Sequence, residues 1–368
     1  MRGTYVYAVT TARRQHSLGR LGLPDGGTRV LVLAVGGLAA VVSEYDGPAF
    51  GGLTRPALLQ CLSVHQRVVE RVMLDRPVLP VKFGTVLHSY DEVCRALARF
   101  RPRLADALAG LGDVVEIEVA ATWDLRRTFA EVREEPAIRA LAVAAAGRPA
   151  EDTLPLRVEV GRLVKAELDR RRAAYGQHIV QRLAPLSRAV QPNALLRDEM
   201  VANVAFLVER RDVDELFAHV RRLDSELDGK LTLRCIGPLP PYTFATVELA
   251  RPSPTEIEMA RRRLELGDAA SEVAVNASYR RLATRCHPDL NAGDAAATER
   301  FAALTAAHIE LLRFIRGQDA GEEAHAAQRR YDLRPDAVGQ TILLTVRGAE
   351  APPRPLREPA RERDAATV

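Results

Sequence analysis

Cysteine is scarce in this chain: its four copies, Cys61, Cys94, Cys235 and Cys286, stand far apart, with no CxxC pair and no histidine at a metal-ligand spacing. A disulfide framework or a zinc site is therefore not expected, and the pattern fits a reducing cytoplasm. Unpaired Cys61 and Cys94 read as small hydrophobes on helix faces. Signatures of catalysis are missing too. There is no GxxxxGKS or GxxxxGKT phosphate loop, no GxSxG after a strand, and neither "GGLAA" nor "DGPAFGG" has the spacing to cradle phosphate. The eight histidines are scattered, and His65, His178 and His219 fall in helical segments without a second ligand. Acid pairs such as Glu134-Glu135 and Glu322-Glu323 lie in charged helix or linker sequence and read as solvated surface. An enzyme, a cofactor and a bound metal are thus all unsupported. Blocks of one charge are absent as well: 52 basic and 48 acidic residues are interspersed and leave a net charge of +4, which makes nucleic acid an unexpected partner. Long apolar runs are lacking. "VLVLAVGGLAAVV" is broken by its glycine pair and too short to span a bilayer, and "MRGTYVYAVTTARRQ" reaches a strand-like run without the apolar stretch of a signal peptide. No membrane segment is expected, and the location expected is cytoplasmic.

What is present is the composition of a soluble globular protein, 47% hydrophobic and 27% charged. One core cannot organise 368 residues, so two to three domains are expected. Strand-type runs over 4–9, 29–35 and 38–45 come first, with Gly36-Gly37 as a two-residue hairpin turn, because glycine accepts the positive φ such turns need. Leu58, Leu59, Leu62, His65, Val69 and Val72 then recur at three- and four-residue spacing behind Pro56, which predicts an amphipathic helix. "PVLPVKFGTVLHS" reads as extended, Ser89 with Glu92 as a capping box opening a helix to about residue 108, and "DVVEIEVAATW" as a strand. Together these make an α+β unit with a split β-α-β arrangement. Residues 124 to about 189 read as helical. A second α+β pattern follows, with a strand over 200–208, a helix over 212–227, and the strands "KLTLRCIG" and "YTFATVEL" around "GPLPP".

Pro252 and Pro254 mark the next boundary. Ser253 as N-cap, Pro254 at the first helical position and Glu256 two residues later form a helix start, and that helix is expected to reach Gly267. A second helix, about 271–285, ends at "RCHPDLN". A third, about 298–314, carries Phe301, Leu304, Ala307, Leu311 and Leu312 on one face. "QTILLTVRG" is one more strand-type run, and "PPRPLREPARERD" reads as a disordered tail. The expected division is 1–123, 124–250, 251–316 and a tail over 317–368.

Five segments, "YVYAVT", "GGLAAVVSEY", "HQRVVERVM", "VLPVKFGTVL" and "GPLPPYTFATVEL", resemble the gas vesicle protein L/F family (GvpL/GvpF) in content and order. The most specific is Leu79, Pro80, Val81, Lys82, Phe83, Gly84 and Thr85. Ala120, after "VEIEV", stands where the family pattern has a lysine. The resemblance implies a noncatalytic accessory protein that binds the small apolar vesicle shell protein, works with other gas vesicle accessory proteins, and is gas vesicle associated. A shell subunit with exposed apolar surface would aggregate unless a partner covered it.

The three-helix segment, with "VNASYRRLATRC", the tripeptide His287-Pro288-Asp289 and a third helix beginning "ERFAAL", resembles a J domain of the DnaJ N-terminal type. Tyr279, Leu282, Ala283 and Cys286 repeat at helical spacing and would pack inward, leaving Arg280, Arg281 and Arg285 on or near the opposite side. The resemblance implies that this face and the His287-Pro288-Asp289 corner engage an acidic surface of a DnaK-type chaperone and stimulate its ATP hydrolysis, with charge setting encounter rate and specificity. Proline stops the helix and fixes the corner. Two positions depart from the pattern: Cys286 replaces a frequent aromatic and His308 a frequent tyrosine, and side chains smaller or more polar would loosen packing. The fold class expected is α+β, two ferredoxin-like-type units flanking a helical insert, followed by a small all-α J-like domain. Two other readings are a general co-chaperone with an unrelated client-binding N-terminal module, and an enzyme with a deep pocket of converging titratable groups.

Overall fold

The structure, a computed structural model, describes residues 2–149, 151–287, 296–319 and 328–348. Pro288, Asp289, Glu322, Glu323 and the "PPRPLREPARERD" tail lie outside them. Strand β1 (Arg2–Thr11) is apolar on both faces, with Tyr5 through Val9 wholly buried, and so becomes the middle of a sheet. Strands β2 (His16–Gly22), β3 (Thr28–Val35) and β4 (Leu38–Asp46) form an antiparallel meander beside it, and Gly36 and Gly37 turn the β3–β4 hairpin at φ +59° and +91°. Helix α1 (Arg55–Met73) crosses back to place β5 (Val78–Pro80) and β6 (Val86–Leu87) on the far side of β1. The order β2-β3-β4-β1-β5 contains the expected split β-α-β, with β1 antiparallel to both β4 and β5. The buried stripe of α1 is Cys61, Val64, His65, Val68, Val69 and Val72. Leu59 and Leu62, expected on it, lie off that 3.6-residue stripe and are exposed. Ser89 accepts from Glu92 N to open α2 (Tyr90–Arg99), but the helix expected to reach 108 breaks at Phe100. Pro102 has no N–H to continue the ladder, and α3 (Arg101–Leu111) starts anew.

The strand expected to close this unit opens a different one. β7 (Val114–Thr122) lies between β9 (Met200–Glu209) and β10 (Thr232–Leu239), paired with β9 from Val114↔Glu209 onward. Its residues from Val114 to Ile117 are all buried, so it needs neighbours on both edges and cover on both faces. Helices α4 (Leu125–Arg133), α5 (Pro136–Ala145) and α6 (Leu154–Leu183) lead to β8 (Ala189–Pro192), a strand the helical reading of 124–189 missed, and α7 (Val213–Glu226) joins β9 to β10. The antiparallel order β10-β7-β9-β8 is ferredoxin-like, with the helical segment as its first crossover rather than an insert between units. The first unit is a meander with one split β-α-β and is not ferredoxin-like. Residues 114–239 form one compact unit, while 2–113 and 240–348 form the other.

Strand β11 (Thr246–Ala250), from "YTFATVEL", accordingly belongs with the first unit: Val247 bridges Val81, and Lys82 N donates to Val247 O at 2.7 Å. From β11 the chain makes an excursion through α8 (Pro254–Arg263), β12 (Ala269–Ala270), α9 (Glu272–Cys286), α10 (Ala297–Gln318), β13 (Tyr331–Asp332) and α11 (Pro335–Gly339). It returns as β14 (Leu343–Arg347), antiparallel to β11 with Ala250 opposite Leu343. Ser253 and Ser271 cap α8 and α9 by accepting from Glu256 N and Ala274 N. Ile257, Leu264, Val275, Leu304, Leu311 and Phe314 share one core with Tyr331, Leu333, Val338 and Leu343. The helical core therefore extends past residue 316, where the sequence reading ended it.

Candidate functional site

The motif from Leu79 to Thr85 is committed to the interior of its own unit. Leu79 and Val81 are buried, and Pro80 pairs with Ala8. Gly84, at φ +88°, turns the chain so that its N–H donates to Tyr5 Oη at 3.1 Å, a conformation that a side chain would strain. Thr85 Oγ1 donates back to Lys82 O, and Phe83 packs edge-on against Tyr5, Phe50 and His65. Tyr5 Oη lies 2.9 Å from His65 Nδ1. Burial pushes the Tyr5 hydroxyl up and the His65 imidazole down to about 4, so both are neutral near pH 7. Lys82 reaches Glu248 Oε1 at 2.8 Å while half its side chain stays in solvent. Glu248 is the residue sequence reading missed: "TVEL" looks like an alternating strand with its acid in water, yet this acid is buried.

The corner after α9 is arranged the other way. Tyr279, Leu282, Ala283 and Cys286 pack against the core, as their spacing predicts, and Arg280, Arg281 and Arg285 are exposed. Arg281 is tied to Glu265 at 2.7 Å and to Ser278 Oγ, so its charge is partly used. Arg280 has no ion-pair partner among the described residues. His287 stands at the C-cap with its ring edge-on to Phe301 at 5.3 Å. His308 does not loosen the packing as expected. Its ring stacks on Tyr279 at 4.1 Å, its Nε2 lies 2.8 Å from Asn276 Oδ1, and a planar polar ring thus does the work of an aromatic. Cys286, half-buried, fills the inner face and donates its thiol to Leu282 O. Ala120, in the other unit, faces Asn203 and Arg234 on its neighbouring strands.

Among the described residues no group of three or more His, Cys, Asp or Glu is placed to hold a metal ion, and no helix is long and apolar enough to cross a membrane.

The profile of the family "Gas vesicle synthesis protein GvpL/GvpF" matches residues 3–246, and that of "DnaJ domain" matches 262–313. Gas vesicle protein F from a Streptomyces species is 32% identical over 249 residues, 66% of this chain and 98% of that protein. Gas vesicle protein L2 of Halobacterium salinarum is 31% identical over 264 residues, 66% of this chain and 91% of that one. The crystal structure of GvpF from Anabaena superposes with a TM-score of 0.57 at 22% identity, over 66% of this chain and 98% of the other, a likeness of fold. The order of motifs, the shared fold and the helical excursion with its His287 corner agree: this chain belongs to the gas vesicle synthesis protein GvpL/GvpF family and carries a DnaJ domain.

Proposed function

We propose that this protein is a noncatalytic assembly factor, cytoplasmic and gas vesicle associated, that binds the apolar vesicle shell protein together with other accessory proteins and recruits a DnaK-type chaperone to it. The observation that carries this reading is the presence, in one chain, of the GvpL/GvpF region and an α9 whose apolar face is packed while Arg280 and Arg285 stay exposed beside His287. Cations on an open helix face suit an acidic partner surface, where they speed encounter and select the partner more than they tighten the complex. Arg280, Arg281, Arg285, His287, Pro288 and Asp289 form the chaperone contact. The Leu79–Thr85 motif serves as an internal brace, because its polar groups are satisfied within the unit.

The test is a pull-down with the full-length chain, probed for both shell protein and DnaK-type chaperone, with chaperone ATP turnover measured alongside. Both partners are expected to be captured, and His287→Gln is expected to abolish the rise in turnover without releasing the shell protein. Capture of the chaperone alone would move the reading to a general co-chaperone. Capture of neither would end it.

A further inference from the structure

Glu248 stands in the middle of a short apolar strand, between buried Val247 and Leu249, with only 10% of its side chain exposed. A carboxylate in such a place keeps its charge only if cations offset its lost hydration. Three do, each from a different segment. Lys82 Nζ of the motif lies 2.8 Å from Oε1, Arg313 Nη2 of α10 lies 3.5 Å from the same oxygen, and Arg347 Nη2 of β14 lies 3.2 Å from Oε2. Burial alone would raise the Glu248 carboxyl, but Lys82, then Arg347 and Arg313, hold it below the usual carboxylate range.

The excursion is fastened at two further places. At its entry, Arg251 donates to the buried Glu92 of α2 and to Gly339 O. At the far end of α10, where the last carbonyls have no donors within the helix, Arg103 of α3 donates to Arg316 O, Asp319 O and Leu344 O, and Arg99 donates to Gln318 O. Gly317 sits so close to Leu343 that a Cβ there would meet the leucine at 2.9 Å. These ties fall on the entry strand, the end of α10 and β14. The three arginines of α9 remain exposed.

We propose that Glu248 is a positioning residue: it locks the third helix of the DnaJ region to the strand beside the motif lysine, so that the His287 corner is carried in one fixed orientation on the body of its unit instead of on a swinging arm. The functional part of this rests on the chaperone reading above: stimulation raised by bound shell protein depends on the lock, and stimulation by the chain alone does not.

The experiment has two arms, both on the full-length chain. Amide hydrogen exchange reads the lock itself. Glu248→Gln leaves Lys82, Arg313 and Arg347 facing one another without their anion and is expected to speed exchange about tenfold in the last two turns of α10 and in β14, with Glu248→Asp restoring most protection. Should Glu248→Gln not fold, Arg313→Met, which leaves two cations on Glu248, is expected to loosen α10 alone. Unchanged exchange in whichever variant folds overturns the lock. Chaperone ATP turnover, with and without shell protein, reads the coupling: the shell-dependent increment is expected to fall about fivefold or more in the loosened variant, with turnover in its absence changed less than about twofold. A loosened α10 with an undiminished increment overturns the coupling. If the unmutated chain raises no turnover at all, the chaperone reading fails, while the exchange arm still decides the lock.

Discussion

The Leu79–Thr85 motif and the corner after α9 are the two stretches most distinctive in sequence, and the molecule uses them in opposite ways. In the motif nearly every polar group finds a partner inside: Gly84 N on Tyr5, Thr85 on Lys82, Lys82 on Glu248. At the corner, the apolar side of α9 is consumed by packing while Arg280, Arg281 and Arg285 remain exposed, Arg281 with a tie to Glu265. A recognisable string of residues therefore marks a constraint without saying whether the constraint is a fold or a contact. The burial of each side chain tells them apart: Leu79, Val81 and Thr85 are buried, Arg280, Arg281 and Arg285 exposed.

The comparison breaks most readily at the motif. Leu79 is wholly buried, and Leu79→Ala is expected to cost about 2–5 kcal/mol, read as a lower denaturant midpoint at unchanged slope. Next comes acid. His65 is neutral when folded, with its pKa lowered to about 4, whereas the unfolded chain takes up the proton near 6.5. The unfolded state then binds more protons between those values, so stability is full above pH 6.5 and falls as pH drops toward 4, by about 3 kcal/mol. His65→Phe should flatten that part of the pH dependence, and an unchanged profile would show the imidazole to be hydrated. On the corner the effects move from stability to encounter. Arg280→Glu with Arg285→Glu should raise the chain concentration needed for half-maximal chaperone stimulation about tenfold, most at low salt. Smallest is Arg280→Ala on thermal unfolding, expected within about 0.5 kcal/mol of the parent. A larger loss would mean that this arginine belongs to the packed side of the comparison.

Local chemistry was legible and long-range pairing was not. Ser89, Ser253 and Ser271 announce their helices because a cap is decided within three residues, and Gly36-Gly37 announces its hairpin for the same reason. The apolar pattern of β7 says that it is buried, but a period of two specifies a face and never a neighbour, so its place beside β9 and β10 had to come from the structure. β2 has mostly exposed residues and an edge position, which leaves no buried alternation to read. Glu248 was hidden by distance, since Lys82 lies 166 residues away and Arg347 lies 99. His308 misled in the other direction: its polarity suggested a defect, and only the ring plane of Tyr279 shows it to be a fit.

The pairing of Ala250 with Leu343 means that the helical excursion leaves and rejoins the sheet at the same rung of one ladder. Topologically it is the loop of a β-hairpin, grown to the size of a domain. A segment in that position can be lengthened, exchanged or excised without rethreading anything on either side, which is the geometry in which one gene can acquire another's domain in a single step.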